Sequence, residues 1–131
     1  MKLQINIIGI ITNQFQVMIE FYRDVMGFAI KEEYPNFVEF ENEGVRFAIS
    51  TNEVMLKATG DSTYKMSKQG HAFELGFEMS SPEEVDTVYS LLIEKGAKSV
   101  KEPSDMPWGQ RTAFFADPDG NTHEIFTNLK S

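Results

Sequence analysis

The stretch TAFFADPDGNTHEIF, residues 112–126, predicts two strands joined by a tight turn. Its centre, Asp117-Pro118-Asp119-Gly120-Asn121, consists of turn formers, because proline fixes φ, glycine and asparagine accept positive φ, and aspartate hydrogen-bonds to its own backbone. Apolar residues flank the turn on both sides, and Glu124 lies among them. An unpaired carboxylate inside an apolar strand costs several kcal/mol to desolvate. Glu124 must therefore point to water or face a functional site.

This strand–turn–strand unit closes the second of two similar halves. Each half runs strand, helix and three further strands. In the first half an apolar stripe at helical spacing ends at Gly27, where a left-handed C-cap is expected. In the second half Ser81-Pro82-Glu83-Glu84 predicts a helix start with proline at N1. We therefore predict an α+β fold, one domain over 1–131 built from two βαβββ modules. The predicted modules are 1–50 and 71–131, with a linker at 51–70 that contains one short helix.

Composition excludes several classes of function. The net charge of −8 argues against nucleic acid as a partner; it fits solubility, and it would also attract a cationic ligand. The chain has no cysteine, so a disulfide framework, a thiolate zinc site and a cysteine nucleophile are excluded. It also lacks an apolar run of about 18 residues, so we expect no membrane partner and a cytoplasmic location.

A cleft between the sheets is the expected position of the functional site. A helix covers one face of each sheet, and we expect the two remaining faces to curve together into a cleft lined by alternate strand residues. Alternation places Glu74 and Glu124 in this cleft, with Gly76 leaving space beside Glu74. By the internal repeat, Ala48 corresponds to Glu124, and Asn6 holds the remaining related position.

Two carboxylates and an amide in an apolar cleft are compatible with three kinds of site. They can bind a hard divalent cation, carry out acid–base chemistry, or hold a cationic or hydrogen-bonding ligand without chemistry. Glu74 and Glu124 are thus the candidate catalytic residues and metal ligands, unless they are solvated at the rim of the cleft. His71 is the third metal candidate by residue type, although it shares strand parity with Phe73.

Other residues are candidate ligand contacts. Trp108 lies between proline and glycine on a predicted loop, where its indole would form an aromatic wall of the cleft. Arg111 is expected to pair with a cleft carboxylate or with a ligand anion. The full set of ligand-binding candidates is Asn6, Phe47, Ala48, Gly76, Trp108, Arg111 and Phe126.

Several motifs together resemble the vicinal oxygen chelate (VOC) superfamily of glyoxalase I, bleomycin-resistance proteins and extradiol dioxygenases. These motifs are FYRDVMGF at 21–28, GAK at 96–98, PWGQR at 107–111 and DPDGN at 117–121. In metal-dependent members each module contributes one ligand from its first strand and one from its last. The resemblance places these positions at Asn6, Ala48, Glu74 and Glu124, and it implies nickel, zinc, manganese or iron as the metal.

The resemblance leaves two functions open. Because Ala48 cannot bind a metal and Asn6 is a poor ligand, it favours a metal-free, homodimeric, small-molecule-binding protein of the bleomycin-resistance type. Glu74 and Glu124 would then be polar anchors. The alternative is a divalent-metal-dependent lyase or isomerase of the glyoxalase type. In that enzyme the metal would polarise paired substrate oxygens and a free carboxylate would move the proton.

Overall fold

A computed structural model describes residues 1–2, 4–66 and 72–130 of the chain. It contains two compact units, Met1–Lys68 and Gln69–Ser131, each with one four-stranded sheet and its helices. The predicted α+β class is confirmed. His71, a predicted metal ligand, lies outside the described residues. Within the described ranges, no helix has the length and apolar character needed to cross a membrane.

The first unit has the predicted order of strand, helix and three strands. Its sheet order is β1-β4-β3-β2, with β1 parallel to β4 and the other neighbours antiparallel. The first helix passes into a π-helical turn at Phe21–Val25, and Gly27 follows with the predicted positive φ of 84°. The elements are β1 (Ile7–Thr12), α1 (Phe15–Glu20), β2 (Ile30–Tyr34), β3 (Phe37–Phe40), β4 (Arg46–Thr51) and α2 (Asn52–Thr59).

The predicted linker contains ordered secondary structure that belongs to the first unit. Helix α2 begins at Thr51, whose Oγ1 accepts a hydrogen bond from the Val54 N–H at 3.0 Å. Asn52 Nδ2 donates to the Tyr64 carbonyl at 2.9 Å, which ties α2 to a short 3-10 turn at Ser62–Lys65. Helix α2 also contacts β1 and β4, so this segment packs on the first unit although no residue of the helix is buried.

The second unit repeats the same topology. Its sheet order is β5-β8-β7-β6, with β5 parallel to β8. The predicted helix start is confirmed, since Ser81 Oγ accepts from the Glu84 N–H at 3.1 Å and Glu84 Oε1 accepts from the Ser80 N–H at 2.8 Å. The elements are β5 (Gly76–Glu78), α3 (Pro82–Glu94), β6 (Lys98–Met106), β7 (Gln110–Ala116) and β8 (Thr122–Asn128).

The stretch that opened the sequence analysis forms β7, the turn and β8. Asp117 Oδ1 accepts from the N–H groups of Asp119 and Asn121 at 3.0 and 2.9 Å, and this carboxylate organises the turn. Phe115 and Ile125, 0% and 2% exposed, form the core on the side of the sheet that packs against α3. The opposite side of the sheet is therefore the side on which polar residues can serve a site.

Candidate functional site

Glu124 occupies the middle of β8, between β5 and β7. In the two ladders it lies opposite Gly76 and Phe114. Its chain neighbours His123 and Ile125 are 0% and 2% exposed and lie on the side of the strand that packs against α3. Glu124 therefore projects from the opposite side, as strand alternation predicted.

We call this side of the second sheet the Glu124 face. It combines acidic and aromatic side chains, and all of its members follow from the register of β5, β7 and β8. The Glu124 face comprises Gly76, Glu78, Thr112, Phe114, Glu124 and Phe126.

Gly76 makes room for the Glu124 side chain. A Cβ atom added at Gly76 would lie 3.4 Å from Glu124 Oε1 and 3.5 Å from Phe126 Cε1. The Glu124 carboxyl group therefore packs beside the β5 backbone at Gly76, where a Cβ atom would be in van der Waals contact with it. Gly76 was predicted to leave space beside Glu74, whereas its neighbours across the sheet are Glu124 and Phe126.

The structure brings the two predicted carboxylates into electrostatic contact. Burial raises the pKa of the Glu124 carboxyl above its ordinary value, and the nearby charge of Glu74 raises it further. Glu74 is exposed and precedes Leu75, whose carbonyl accepts from the Glu124 N–H at 2.9 Å. Glu124 is thus a half-buried carboxyl that can hold a proton or be stabilised by a cation.

The carboxylates of this region have no ionic partner among the described residues. In the described parts of the chain, no lysine or arginine forms an ion pair with Glu74, Glu78 or Glu124. Half-burial without a counter-charge is unfavourable for an ionised carboxyl. A ligand that brings a positive charge would relieve this cost at Glu124.

Thr112 is a member of the Glu124 face that the sequence analysis missed. It lies opposite Phe126, is 0% exposed, and its Oγ1 has no hydrogen-bond partner among the described residues. Strand parity was the signal that could have placed it, because Thr112 is two residues from Phe114 along β7.

A buried polar network lies behind Glu124. His123 Nδ1 accepts from the Leu75 N–H at 3.1 Å, and His123 Nε2 lies 3.7 Å from Asp117 Oδ2. Asn121 Nδ2 donates to the same Asp117 oxygen at 2.8 Å. The network links β8, the 117–121 turn and the segment that enters β5. His123 thus lies on the opposite side of β8 from Glu124.

Arg111 is not where the sequence analysis placed it. Its Nε and Nη1 atoms bond to Asp86 of α3 and Asp105 of β6 at 2.8 and 3.0 Å, so Arg111 lies on the α3 side of the sheet. These hydrogen bonds, first to Asp86 and then to Asp105, raise the pKa of Arg111. The expected pairing of Arg111 with a carboxylate of the Glu124 face is wrong, because alternation along β7 sends it to the other side.

Trp108 lies on the turn between β6 and β7 and is 62% exposed. Its Nε1 donates to Gln110 Oε1 at 3.0 Å, and Gln110 Nε2 donates to Asn128 Oδ1 at 3.0 Å. The indole is thus held at the ends of β7 and β8. Its role as an aromatic wall stays a prediction.

The first unit corrects the position assigned to Asn6. Gly9 lies opposite Ala48 in the β1–β4 ladder, as Gly76 lies opposite Glu124 in the β5–β8 ladder. The residue equivalent to Glu74, two positions before the glycine, is therefore Ile7. Asn6 is exposed, precedes β1, and its carbonyl accepts from the Arg46 N–H at 2.9 Å. Ala48 holds the position predicted for it and offers no polar atom.

Phe47 lies on the helix side of the first sheet. Its ring centroid is 5.3 Å from the rings of both Tyr22 and Phe28, and it is 5% exposed. This predicted ligand contact is a core residue, because it alternates with Ala48. Glu39 lies opposite Ala48 in the β3–β4 ladder, on the same side of the first sheet as Ala48, and was not predicted. Its Oε1 atom is 2.7 Å from Arg46 Nη2.

These donors do not fit the metal site that the resemblance implies. Of the four related strand positions, Ile7 and Ala48 are hydrocarbon, which leaves Glu74 and Glu124. Within the described ranges, no group of three or more histidine, cysteine, aspartate or glutamate side chains could hold a metal ion. Catalytic metal sites generally use three protein ligands, and a pair of carboxylates falls short of that.

The sequence and the fold establish the family. The profile of the glyoxalase/bleomycin resistance protein/dioxygenase superfamily matches residues 4–125. The chain belongs to this superfamily, as the motif resemblance predicted. It is 34% identical over 128 residues to the uncharacterized protein YraH of Bacillus subtilis (strain 168). The aligned region covers 93% of this chain and 96% of YraH.

Solved structures agree on the fold. A glyoxalase/bleomycin resistance protein/dioxygenase from Nocardioides superposes with a TM-score of 0.90 at 28% identity, covering 100% of this chain and 87% of that one. TnmS3, an antibiotic binding protein from Streptomyces sp. CB03234, superposes with a TM-score of 0.66 at 19% identity, covering 97% of each chain. At the latter identity the likeness shows the fold alone, and one fold hosts many chemistries.

Proposed function

We propose that this protein binds a small aromatic molecule that carries a protonated nitrogen, and that it does so on the Glu124 face without a resident metal. The observation that carries the proposal is the Glu124 carboxyl group, half-buried and without a cationic partner in the described part of the chain. A ligand cation placed beside it would supply the missing counter-charge and lower the pKa of the carboxyl.

The surroundings of Glu124 suit an aromatic ligand. Phe114 and Phe126 flank the carboxyl group on the same face and are only partly covered. Aromatic rings contribute buried apolar area, and a ring face also attracts a cation. Glu74 and Glu78 add negative charge near this surface, and the net charge of −8 would favour the approach of a cation.

The name of TnmS3 is consistent with this proposal, because that structural relative is described as an antibiotic binding protein. The metal-dependent lyase is the second candidate, and the electrostatic contact of Glu74 with Glu124 is the observation in its favour. The missing donors at Ile7 and Ala48 make it the weaker of the two. The homodimer and the cytoplasmic location stay predictions.

Calorimetric titration with a panel of aromatic amines, each paired with its uncharged isostere, tests the proposal. We expect at least one amine to bind, its isostere to bind more weakly, and Glu124→Gln to reduce its affinity by about tenfold or more, as for loss of one charge-assisted hydrogen bond. The control is Glu94→Gln on the exposed end of α3, which should bind like the wild type. Amines and isosteres that bind equally well to wild type and Glu124→Gln would refute the role of Glu124.

A further inference from the structure

His123 contacts both residues that flank Glu74. Its ring centroid lies 6.2 Å from that of Phe73, and its Nδ1 accepts from the Leu75 N–H at 3.1 Å. His123 is 0% exposed and lies on the α3 side of β8. Residues 73 and 75 are thus held from behind the sheet, and Glu74, between them, lies close enough to Glu124 for its charge to act on that carboxyl.

Leu75 is held at both of its backbone polar groups by consecutive residues of β8. Its carbonyl accepts from the Glu124 N–H at 2.9 Å, and its own N–H donates to the His123 side chain. At this point of the sheet an imidazole nitrogen takes the place of a backbone carbonyl as acceptor. The segment before β5 is therefore held by a side chain in addition to the backbone hydrogen bonds of the β5–β8 ladder.

The network also fixes the orientation of the imidazole ring. Because Nδ1 accepts a hydrogen bond, we infer that the ring proton resides on Nε2, which lies 3.7 Å from Asp117 Oδ2. Asp117 is itself held by hydrogen bonds from Asp119 and Asn121. The 117–121 turn thus sets the position of the ring that holds residues 73–75.

We propose that His123 is a positioning residue of the ligand site, and that its contacts with Phe73 and Leu75 keep Glu74 within electrostatic reach of Glu124. The importance of this pair for ligand binding rests on the proposed function, whereas the geometric claim concerns the free protein. A fixed pair of carboxyls presents one strong position for a single cationic group. If Glu74 moved away, Glu124 would remain as an isolated half-buried carboxyl.

A double-mutant cycle on ligand-free protein tests the proposal. The measured quantity is the pKa of the Glu124 carboxyl, followed by carbon-13 NMR in wild type, Glu74→Gln, His123→Phe and the double variant. We expect Glu74→Gln to lower the pKa of Glu124 in the wild-type background and to have no effect after His123→Phe. A purely structural role of His123 would leave this coupling intact, so an equal shift in both backgrounds would overturn the proposal.

Two further measurements keep the test decisive. His123→Asn retains an acceptor near the position of Nδ1, and we expect it to restore part of the coupling that His123→Phe removes. If His123→Phe does not fold, hydrogen exchange of the wild-type Leu75 amide takes its place. Slow exchange supports the hydrogen bond, and exchange as fast as that of an exposed loop amide overturns it. None of these readouts requires a bound ligand, so the proposed function can fail without affecting them.

Discussion

Gly76 and Glu124 lie directly opposite each other in the β5–β8 ladder, and the glutamate side chain packs against the glycine, where an added Cβ would lie 3.4 Å from its Oε1 atom. The equivalent pair in the first unit is Gly9 and Ala48. The two pairs have the same register but different chemistry. In the first unit the glycine faces a methyl group, and in the second it gives space to a carboxyl group.

Gly76→Ala should disturb the site while leaving the fold intact. The new Cβ would lie 3.4 Å from Glu124 Oε1, whereas a Cβ at Gly9 would meet nothing within 4 Å. Both substitutions reduce backbone entropy of the unfolded chain, but only Gly76→Ala places a methyl group against the Glu124 carboxyl, where it would shield that carboxyl from water. We expect Gly9→Ala to be more stable than Gly76→Ala by about 1 kcal/mol in denaturant titrations. Equal stabilities of Gly9→Ala and Gly76→Ala would mean that a methyl group at position 76 does not disturb the Glu124 carboxyl.

Glu124→Gln should change how stability depends on pH. The pKa of Glu124 is raised in the folded protein by burial and by Glu74, so its contribution is present at low pH and is lost as the pH rises through the folded-state value. The variant has no charge there, so it should gain stability relative to wild type from about pH 4.5 upwards. Denaturation midpoints between pH 4 and about pH 8 measure this difference. Glu94→Gln is the control. If the stability difference between Glu124→Gln and wild type did not change with pH, the raised pKa of Glu124 would be contradicted.

Glu39→Gln should show the opposite dependence. The pKa of Glu39 is lowered, first by its hydrogen bond from Arg46 and then by the charges of Arg46 and Lys31. Its stabilising contribution is present at neutral pH and is lost as the pH falls through the lowered value. The variant should therefore be less stable than wild type at pH 7 and approach it in acid. Glu43→Gln, in the exposed turn between β3 and β4, is the control. If Glu39→Gln stayed less stable than wild type by the same amount in acid, the ionised Glu39 carboxylate would not be the cause of the difference.

Two buried threonines should respond differently to the same isosteric change. Thr12 Oγ1 accepts from the Gln14 N–H at 2.8 Å, whereas Thr112 Oγ1 has no partner among the described residues. We expect Thr12→Val to cost about 1 kcal/mol and Thr112→Val to be neutral or stabilising. Chemical denaturation of both variants measures this, and a comparable loss in Thr112→Val would reveal a hydrogen bond at that hydroxyl.

Most of the fold could be predicted from local patterns. The strand–turn–strand unit at 112–126, the helix start at Ser81 and the positive φ of Gly27 all follow from short-range chemistry of the backbone. The internal repeat of strand, helix and three strands then indicated the topology. Glu124 lies on the side of β8 that faces away from α3, as alternation predicted, because β8 alternates without interruption from Thr122 to Asn128.

Some errors came from features that alternation alone does not determine, whereas those at Arg111 and Phe47 came from assigning the wrong strand parity. In β1, isoleucine occurs on both faces, so hydrophobicity gave no reason to prefer Ile7 over Asn6 as the counterpart of Glu74; the ladder register decides it. Arg111 and Phe47 were each predicted to face the cleft, whereas both lie on the helix side of their sheets. Thr112 and Glu39 were missed because their burial depends on neighbouring strands.

The metal content of the purified protein is the most direct test of the central claim, which is that the Glu124 face holds no resident metal. Tag-free protein would be incubated in turn with nickel, zinc, manganese and iron(II), dialysed and analysed for elements, alongside Glu74→Ala, Glu124→Ala and the control Glu94→Ala. Because Ile7 and Ala48 provide no donor atoms, we expect no stoichiometric metal in any sample. One metal ion per chain in wild type and Glu94→Ala, lost in Glu74→Ala and Glu124→Ala, would contradict the proposed organic-cation site and favour the lyase.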